Sequence, residues 1–358
     1  MVTLKEIAQM CGVTTSTVSN VLNNKPKVGE ATRKKVLEAV EKTGYQPNYF
    51  AQVIRKTKTN VIGIVTEDLN EFSTIPLVEA IMAYCEDNGY RTILENMRFY
   101  DKWGDTWYTD REKQESVLKP ALASLLSIKV DGVIYVAGHC RYIGCFPENF
   151  PVPGIVTYGF SELPQFPSIV LDDEKGGYEM TKYLISVGQR EIALIAGREN
   201  NIHTQKRLVG YQKALFETGI LYNPNMVRFG DWKRESGFHE TAKLVEAGAT
   251  CIFCMNDKMA GGAYDWAYDN GLKVGEDISI VGYDNIEIAK YIRPKLTTMD
   301  MHLKEVGKRA VERLIKELNG ESSELSSVER IQPELVIRKS VKCLIVVDHK
   351  ASDFGVYG

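Results

Sequence analysis

Two sets of residues have types and spacing that could do chemistry. The first follows a series of short apolar runs. Glu67 and Asp68 come after VIGIVT (61–66), His139 after GVIYVA (132–137), and Asp172 and Asp173 after SIVL (168–171). Asp231 and Trp232, Asn256 and Asp257, and Asp284 and Asn285 follow later runs, and Arg207 lies on the helical pattern behind the run 192–196. Carboxylates accept, guanidinium donates and carboxamides do both, so such a set could bind a small polar ligand. The competing reading is helix capping, which Asp and Asn favour. For Asp172, Asp257 and Asn285 both readings stand. The second set is Thr15, Ser16, Thr17, Ser19, Asn20 and Asn23, on one side of a helical pattern whose other side is Val18, Val21 and Leu22. Short uncharged hydrogen-bonding side chains on one helix face suit a major-groove reader. Asn pairs bidentately with adenine, and Ser and Thr bond base edges or phosphates. A polar solvent face on a helical bundle is the plainer alternative.

The elements around these residues differ between the two ends of the chain. Residues 4–43 hold three short helical patterns, at about 4–10, 14–23 and 30–42. Thr3 is a plausible N-cap, and Gly12 supplies the positive φ of a tight turn. From Val61 onward, buried-strand runs at 61–66, 91–95, 132–137, 154–158, 168–171, 192–196, 226–229, 251–255 and 278–282 alternate with helical patterns. Those patterns fall at about 75–88, 111–127, 175–187, 205–218, 234–247, 257–270 and 302–318. Short, β-branched runs that are apolar throughout mark parallel strands covered on both faces. Some ten of them suit two doubly wound lobes better than one sheet. Ligands of open parallel sheets bind beyond the carboxyl ends of the strands, where the first set of residues falls.

Charge is divided in the same way. Residues 1–60 carry a net +6 and the remainder −9, as needed if the head alone meets phosphates. No apolar stretch approaches the ~20 residues that cross a bilayer, and the start has no apolar export core, so a cytoplasmic protein is expected. The seven cysteines are scattered; Cys251 and Cys254 sit in an apolar run without a second pair, so no metal and no cofactor is expected. There is no Walker A run, GxSxG elbow or HExxH, and the five histidines are dispersed, so an enzyme is not expected. A glycosidase pair among the cleft carboxylates is the weaker alternative.

The order of residues in the head resembles the lactose/galactose repressor family. The resemblance runs through Val2-Thr3-Leu4-Lys5-Glu6-Ile7-Ala8, Gly12 to Asn23, Ala31 to Val36, and Gly44-Tyr45-Gln46-Pro47-Asn48. It continues in the body through Gly188 to Gly197, Arg207 to Tyr211, Gly230-Asp231-Trp232, Asn256 to Ala260, Asp277 to Asp284 and Pro294 to Thr298. It implies an all-α helix-turn-helix head plus a two-lobed α/β sensor domain similar to periplasmic sugar-binding proteins. It implies that Thr15, Ser16 and Asn20 read bases and that Thr14, Thr17, Ser19, Asn23 and Asn48 touch phosphates or cap helices. It also implies that residues 46–60 form a hinge helix only on DNA, with Ile54 as its minor-groove wedge. Arg207, Trp232, Asn256 and Asp284 are the implied effector contacts, to which strand-end position adds His139 and Asp172. An indole face, a donor, a dual partner and an acceptor suit a sugar. The family's purine-sensing branch has an arginine six residues before Arg207, where this chain has Asn201.

The expected organisation is then a head at 1–45, a hinge at 46–60 and a body at 61–340. Its first lobe spans about 61–159 and 292–326, its second about 160–291 and 327–340, and an extension covers 341–358. The expected partners are a double-stranded DNA operator, a small-molecule effector and a second copy of the chain, as a homodimer or within a tetramer, with no membrane. A solute-binding protein without a DNA role is the alternative, against which the complete head argues. Two stretches depart from the family pattern. Residues 96–116 are long and rich in aromatics, and read as a packed surface loop, with a flap beside the cleft and a partner surface as the alternatives. In the tail, residues 343–347 could add an edge strand.

Overall fold

The structure is a computed structural model and describes residues 2–22, 24–45, 58–321 and 327–345. It divides into two compact units, one holding the residues through Thr59 and the other nearly all of the chain from Asn60.

In the head, α1 (Leu4–Cys11), α2 (Thr15–Leu22) and α3 (Glu30–Thr43) enclose Ile7, Ala8, Cys11, Val18, Val21 and Val36. Thr3 and Glu6 form a capping box. The Thr3 hydroxyl accepts from Glu6 N at 3.3 Å, and the Glu6 carboxylate accepts from Thr3 N at 2.7 Å, which satisfies two backbone donors at the helix start. Gly12 ends α1 at φ 63, a left-handed conformation that is costly for a side-chain-bearing residue. Asn24 accepts from Arg33 Nη1, and Arg33 Nη2 donates to Lys25 O at 2.7 Å, tying the turn after α2 to α3.

The body follows as β1 (Val61–Thr66), α4 (Thr74–Asp87), β2 (Arg91–Asn96), α5 (Phe99–Trp103), α6 (Arg111–Ser127), β3 (Gly132–Val136), β4 (Tyr142–Ile143), β5 (Gly154–Thr157), β6 (Phe160–Ser161) and β7 (Ser168–Leu171). It continues with α7 (Asp173–Ser186), β8 (Ile192–Ala196), α8 (Ile202–Glu217), β9 (Val227–Phe229), α9 (Arg234–Glu246), β10 (Cys251–Cys254), α10 (Asp257–Asp269) and β11 (Ser279–Val281). The last elements are α11 (Glu287–Tyr291), β12 (Thr298–Asp300), α12 (Leu303–Leu318), β13 (Val328–Ile331) and β14 (Glu334–Val336). One lobe is built on a six-stranded parallel sheet in the order β13-β7-β5-β3-β1-β2, the other on a four-stranded parallel sheet in the order β11-β10-β8-β9. β1, β3, β5, β7, β8, β10 and β11 are buried at every position. That is why they read as unbroken apolar runs. The edge strand β2 is only partly covered.

The long helices and the central strands fall where the pattern puts them. The differences lie at crossings and edges. β7 and β13 pair with each other inside the six-stranded sheet, although residues 160–291 and 327–340 were expected in the second lobe. The chain therefore leaves the first sheet after Leu171 and after Ile331. β12 and β14 form a small antiparallel ribbon that no periodicity announced, because each has three residues. Residues 96–116 are not an irregular loop: they contain α5, a tight turn at 104–106, and the first residues of α6. Residues 343–345 form no strand, and Leu344 N donates to Val187 O at 2.8 Å. Of the hinge expected at 46–60, residues 46–57, with Asn48 and Ile54, lie outside the described residues, as do Asn23 and residues 346–358.

Candidate functional site

In the head, Thr14, Thr15 and Ser16 are exposed and Thr17, Ser19 and Asn20 half-buried, on the face of α2 opposite Val18 and Val21. The Thr14 hydroxyl accepts from Thr17 N at 3.3 Å and shares hydrogen bonds with the Ser16 and Thr17 hydroxyls at 2.7 and 2.9 Å. It starts the helix as a cap. Ser16 and Asn20, one turn apart, share a face.

In the body, the groups after the strands converge around Arg207. Their meeting depends on how closely α7 and α8 pack. A Cβ on Gly177 would stand 2.3 Å from Arg207 O, and one on Gly210 2.1 Å from Glu174 O. Glycines at both points let the helix backbones touch, bringing Arg207 on α8 to Asp173 at the start of α7. Arg207 is 2% exposed and donates from Nε to Asp173 Oδ1 at 2.8 Å and from Nη1 to Met255 O at 2.6 Å. Its guanidinium carbon lies 3.6 Å from the Tyr283 ring centroid, a cation–π contact. Nη1 approaches Asp284 Oδ1 to 3.9 Å, and the Asp284 carboxylate accepts no hydrogen bond among the described residues.

The electrostatics separate the two carboxylates. Burial works to raise Asp173, but the charges and hydrogen bonds of His203 and Arg207 outweigh it and hold the group below its ordinary value. Asp284 has no such donors, so burial, reinforced by Asp257, pushes it well up despite Arg207. Asp257 is pushed up to about 7 by burial, although it accepts from Thr298 Oγ1 at 2.6 Å and Ile286 N at 2.9 Å.

Trp232 sits in a left-handed turn at φ 72, as do Asp284 at φ 110 and Asn285 at φ 55. Backbone held in this region is costly and collects at functional sites. The Trp232 indole lies on Gly197, where a Cβ would come within 1.9 Å of Trp232 Cζ2. Asn256 uses both ends of its carboxamide. Its Oδ1 caps α10 through Met259 N at 2.8 Å, and its Nδ2 donates to Trp232 O at 2.9 Å. It fixes the tryptophan turn. Asp172 caps α7 by accepting from Lys175 N at 3.1 Å. His139 lies on the other lobe and shares a 2.6 Å hydrogen bond with the Tyr100 hydroxyl. The structure thus gathers Arg207, Trp232, Asn256 and Asp284 beyond the ends of β8, β9, β10 and β11, gives Asp172 a capping bond, and pairs His139 with the segment after β2.

Asp173 belongs to the strand-end set read from sequence, whereas His203 and Tyr158 carry no such signal there. His203 donates or accepts through Nδ1 at 2.7 Å from Asp173 Oδ2, and its ring lies 5.0 Å from that of Tyr158, which follows β5 in the other lobe. The spacing Asn201, His203, Arg207 along one helix was the available signal.

Residues 3–48 match the family description "Bacterial regulatory proteins, lacI family", and residues 181–341 match "Periplasmic binding protein-like domain". The chain is 33% identical over 349 residues to an HTH-type transcriptional repressor PurR of Vibrio campbellii, covering 96% of this chain and all of that one. The chain belongs to the LacI family. A second relative, the HTH-type transcriptional repressor PurR of Pasteurella multocida, is also 33% identical, over 346 residues, covering 96% of this chain and 99% of that one. A Lac repressor dimer bound to operator and the anti-inducer ONPF superposes with a TM-score of 0.78 at 28% identity, over 95% of this chain and 99% of that one. A complex of the transcriptional regulator CelR with cellobiose gives 0.62 at 25%, over 95% and 100%. This LacI-family chain is a ligand-responsive, DNA-binding transcriptional repressor and not an enzyme. Cys251 and Cys254 are both buried in β10. No helix among the described residues is long and apolar enough to cross a membrane.

Proposed function

We propose that this repressor senses a neutral saccharide and controls genes of sugar metabolism, acting in the cytoplasm as a homodimer. The observation that carries the reading is the Asp284 carboxyl group, 5% exposed and 3.9 Å from Arg207 Nη1, with its oxygens at the solvent edge of the cluster. A ligand hydroxyl placed between the two groups would accept from the guanidinium and bond the carboxyl group. The Trp232 indole on its glycine shelf offers the C–H faces of a pyranose a flat apolar partner. In this reading, Arg207 and Asp284 bond the ligand, Trp232 stacks on it, Asn256 holds the tryptophan turn, and Asp172 and His139 shape the walls. Thr15, Ser16 and Asn20 read operator bases, Thr14, Thr17, Ser19, Asn23 and Asn48 serve phosphates and caps, and Ile54 wedges the minor groove. Ile75 and Met82, two turns apart on one face of α4 and 61% and 40% exposed, suit pairing with a second copy.

A purine effector is the second reading, favoured by the name that the 33% identical relatives carry. Against it, Asn201 spends its carboxamide oxygen on capping α8, accepting from His203 N at 2.9 Å and Thr204 N at 3.4 Å. A thermal-shift panel of mono- and disaccharides and purine bases decides between the two, because a ligand of the folded state raises its melting temperature. A shift with a sugar and none with purines is expected. A shift with a purine alone overturns the reading.

A further inference from the structure

Three asparagines in the chain are followed by glycine, Asn88, Asn270 and Asn319, and each closes a helix of the body, α4, α10 or α12. An Asn-Gly pair is chemically vulnerable. Glycine has no side chain to shield its own nitrogen, and that nitrogen can attack the asparagine Cγ. All three asparagines are exposed, so water reaches each of them.

The three helix ends are built alike. The asparagines stand at φ −98, −97 and −92 with ψ 11, 9 and −5, and the glycines follow at φ 76, 70 and 74. Gly89 N donates to Glu86 O at 2.9 Å, Gly271 N to Tyr268 O at 3.1 Å and Gly320 N to Glu317 O at 3.1 Å. The next N–H reaches five residues back in each case, Tyr90 to Cys85 O, Leu272 to Ala267 O and Glu321 to Lys316 O. This is the helix stop with a left-handed glycine. Ring closure needs the asparagine ψ to swing far from zero and the glycine N–H to leave its carbonyl. Each pair therefore reacts only when its helix end opens.

The ends differ in what holds them shut. Asn88 Nδ2 donates to Tyr84 O and Asn270 Nδ2 to Trp266 O, at 2.8 Å each. The Asn319 carboxamide has no hydrogen-bond partner among the described residues. The residue after each glycine divides the same way. Tyr90 and Leu272 pack against the apolar core of the body, whereas Glu321 is exposed. Arg91, next after Tyr90, is already in β2 and donates to Asn60 O at 2.8 Å. Asn319 thus lacks both the side-chain bond and the apolar anchor that its two counterparts have.

We propose that Asn319 is a site of spontaneous deamidation, selected from the three Asn-Gly pairs by the fold. Gly320 N gives up its proton to water and bonds to Asn319 Cγ. The Cγ–Nδ2 bond breaks and ammonia leaves, closing a succinimide. Water then adds to one of the two ring carbonyls. Breaking the new bond to Cγ leaves aspartate, and breaking the original peptide bond leaves isoaspartate. One water is consumed and one ammonia released, with no change of oxidation state. Either product sets a carboxylate between Glu317 and Glu321 at the carboxyl end of α12, where the helix dipole disfavours negative charge. That end lies where the chain enters the body. Leu314 packs on Gly132, whose Cβ would stand 2.8 Å from Leu314 Cδ1, and the neighbouring Asp131 accepts from Asn60 N at 2.7 Å. The site is independent of which effector the protein senses.

The test is peptide mapping by mass spectrometry of the full-length protein, held over time in warm, mildly alkaline buffer made with heavy-oxygen water. A parallel sample is held in urea. In the folded protein, Asn319 should convert tenfold or more faster than Asn88 and Asn270, a barrier difference of about 1.4 kcal/mol or more. Its product should carry heavy oxygen and include isoaspartate. In urea the three sites should convert at rates within about threefold of one another, because the protection is gone. Similar rates at the three sites in the folded protein, or faster conversion at Asn88 or Asn270, overturns the proposal. So does a tenfold preference for Asn319 that persists in urea, since the fold would not then be its source. No conversion of Asn319 in the folded protein, over a time in which the urea sample converts, overturns it as well.

Discussion

Arg207 Nη1 stops 3.9 Å from Asp284 Oδ1 while Arg207 Nε is held by Asp173 at 2.8 Å. The guanidinium is therefore anchored by one carboxylate and aimed at another that it does not reach. In the proposed saccharide reading, a ligand hydroxyl between the two would bond the second carboxyl group, and Trp232 would supply the apolar face. Trp232→Ala should abolish the saccharide-induced rise in melting temperature while unliganded operator binding stays within about twofold. A rise equal to that of the wild-type protein would place the ligand elsewhere.

The raised carboxylates predict a pH dependence. The unfolded Asp257 and Asp284 ionise near pH 4, whereas folded Asp257 ionises at about 7 and folded Asp284 well above its ordinary value. At pH below both values each state is protonated and the pair contributes no slope. As pH rises above 4, the unfolded state releases protons that the folded state keeps, so stability falls until the folded groups ionise. One retained proton is worth at most about 1.4 kcal/mol per pH unit. Asp284→Asn should flatten the fall in stability between pH 5 and pH 7, measured by urea unfolding at each pH. Slopes identical to wild type would mean that Asp284 ionises freely in the folded protein.

Gly197→Ala tests the shelf under the indole. The new Cβ would stand 1.9 Å from Trp232 Cζ2, so the ring must move, while the backbone at 197 needs no special conformation. Saccharide affinity should fall about tenfold, or about 1.4 kcal/mol, with a cooperative melt retained. Unchanged affinity would show that the ring position is irrelevant to binding.

The head was legible because its signals are local. A cap at Thr3, a turn at Gly12 and the spacing of Val18 and Val21 depend on residues within a few positions of one another, as do the apolar strands. The Arg207 cluster was half legible. Strand-end position marked Asp284 and Asn256, but which of Asp172 and Asp173 turns inward depends on the approach of α7 to α8 at Gly177 and Gly210, set by tertiary packing. Nothing local marked Trp107 as buried, since its partners Arg141 and Gln114 come from other elements. The membership of β7 and β13 in the first sheet likewise depends on pairing across some 160 residues, between Ser168 and Val328.

Asn20 tests the head. If its carboxamide reads a base, Asn20→Ala should weaken operator binding by about 1–3 kcal/mol and random-sequence binding much less. A loss equal on both would make it a backbone contact.

Effector occupancy in the body must be felt by the head for this chain to act as a sensor. Coupling is reciprocal, so the factor by which saccharide changes operator affinity equals the factor by which operator changes saccharide affinity. Titrating operator DNA into the full-length protein, with and without a saturating saccharide from the thermal-shift panel, measures the coupling directly. Operator affinity should change by tenfold or more, and the Trp232→Ala variant should show no change. The same operator affinity with and without a saccharide that demonstrably binds would contradict the account.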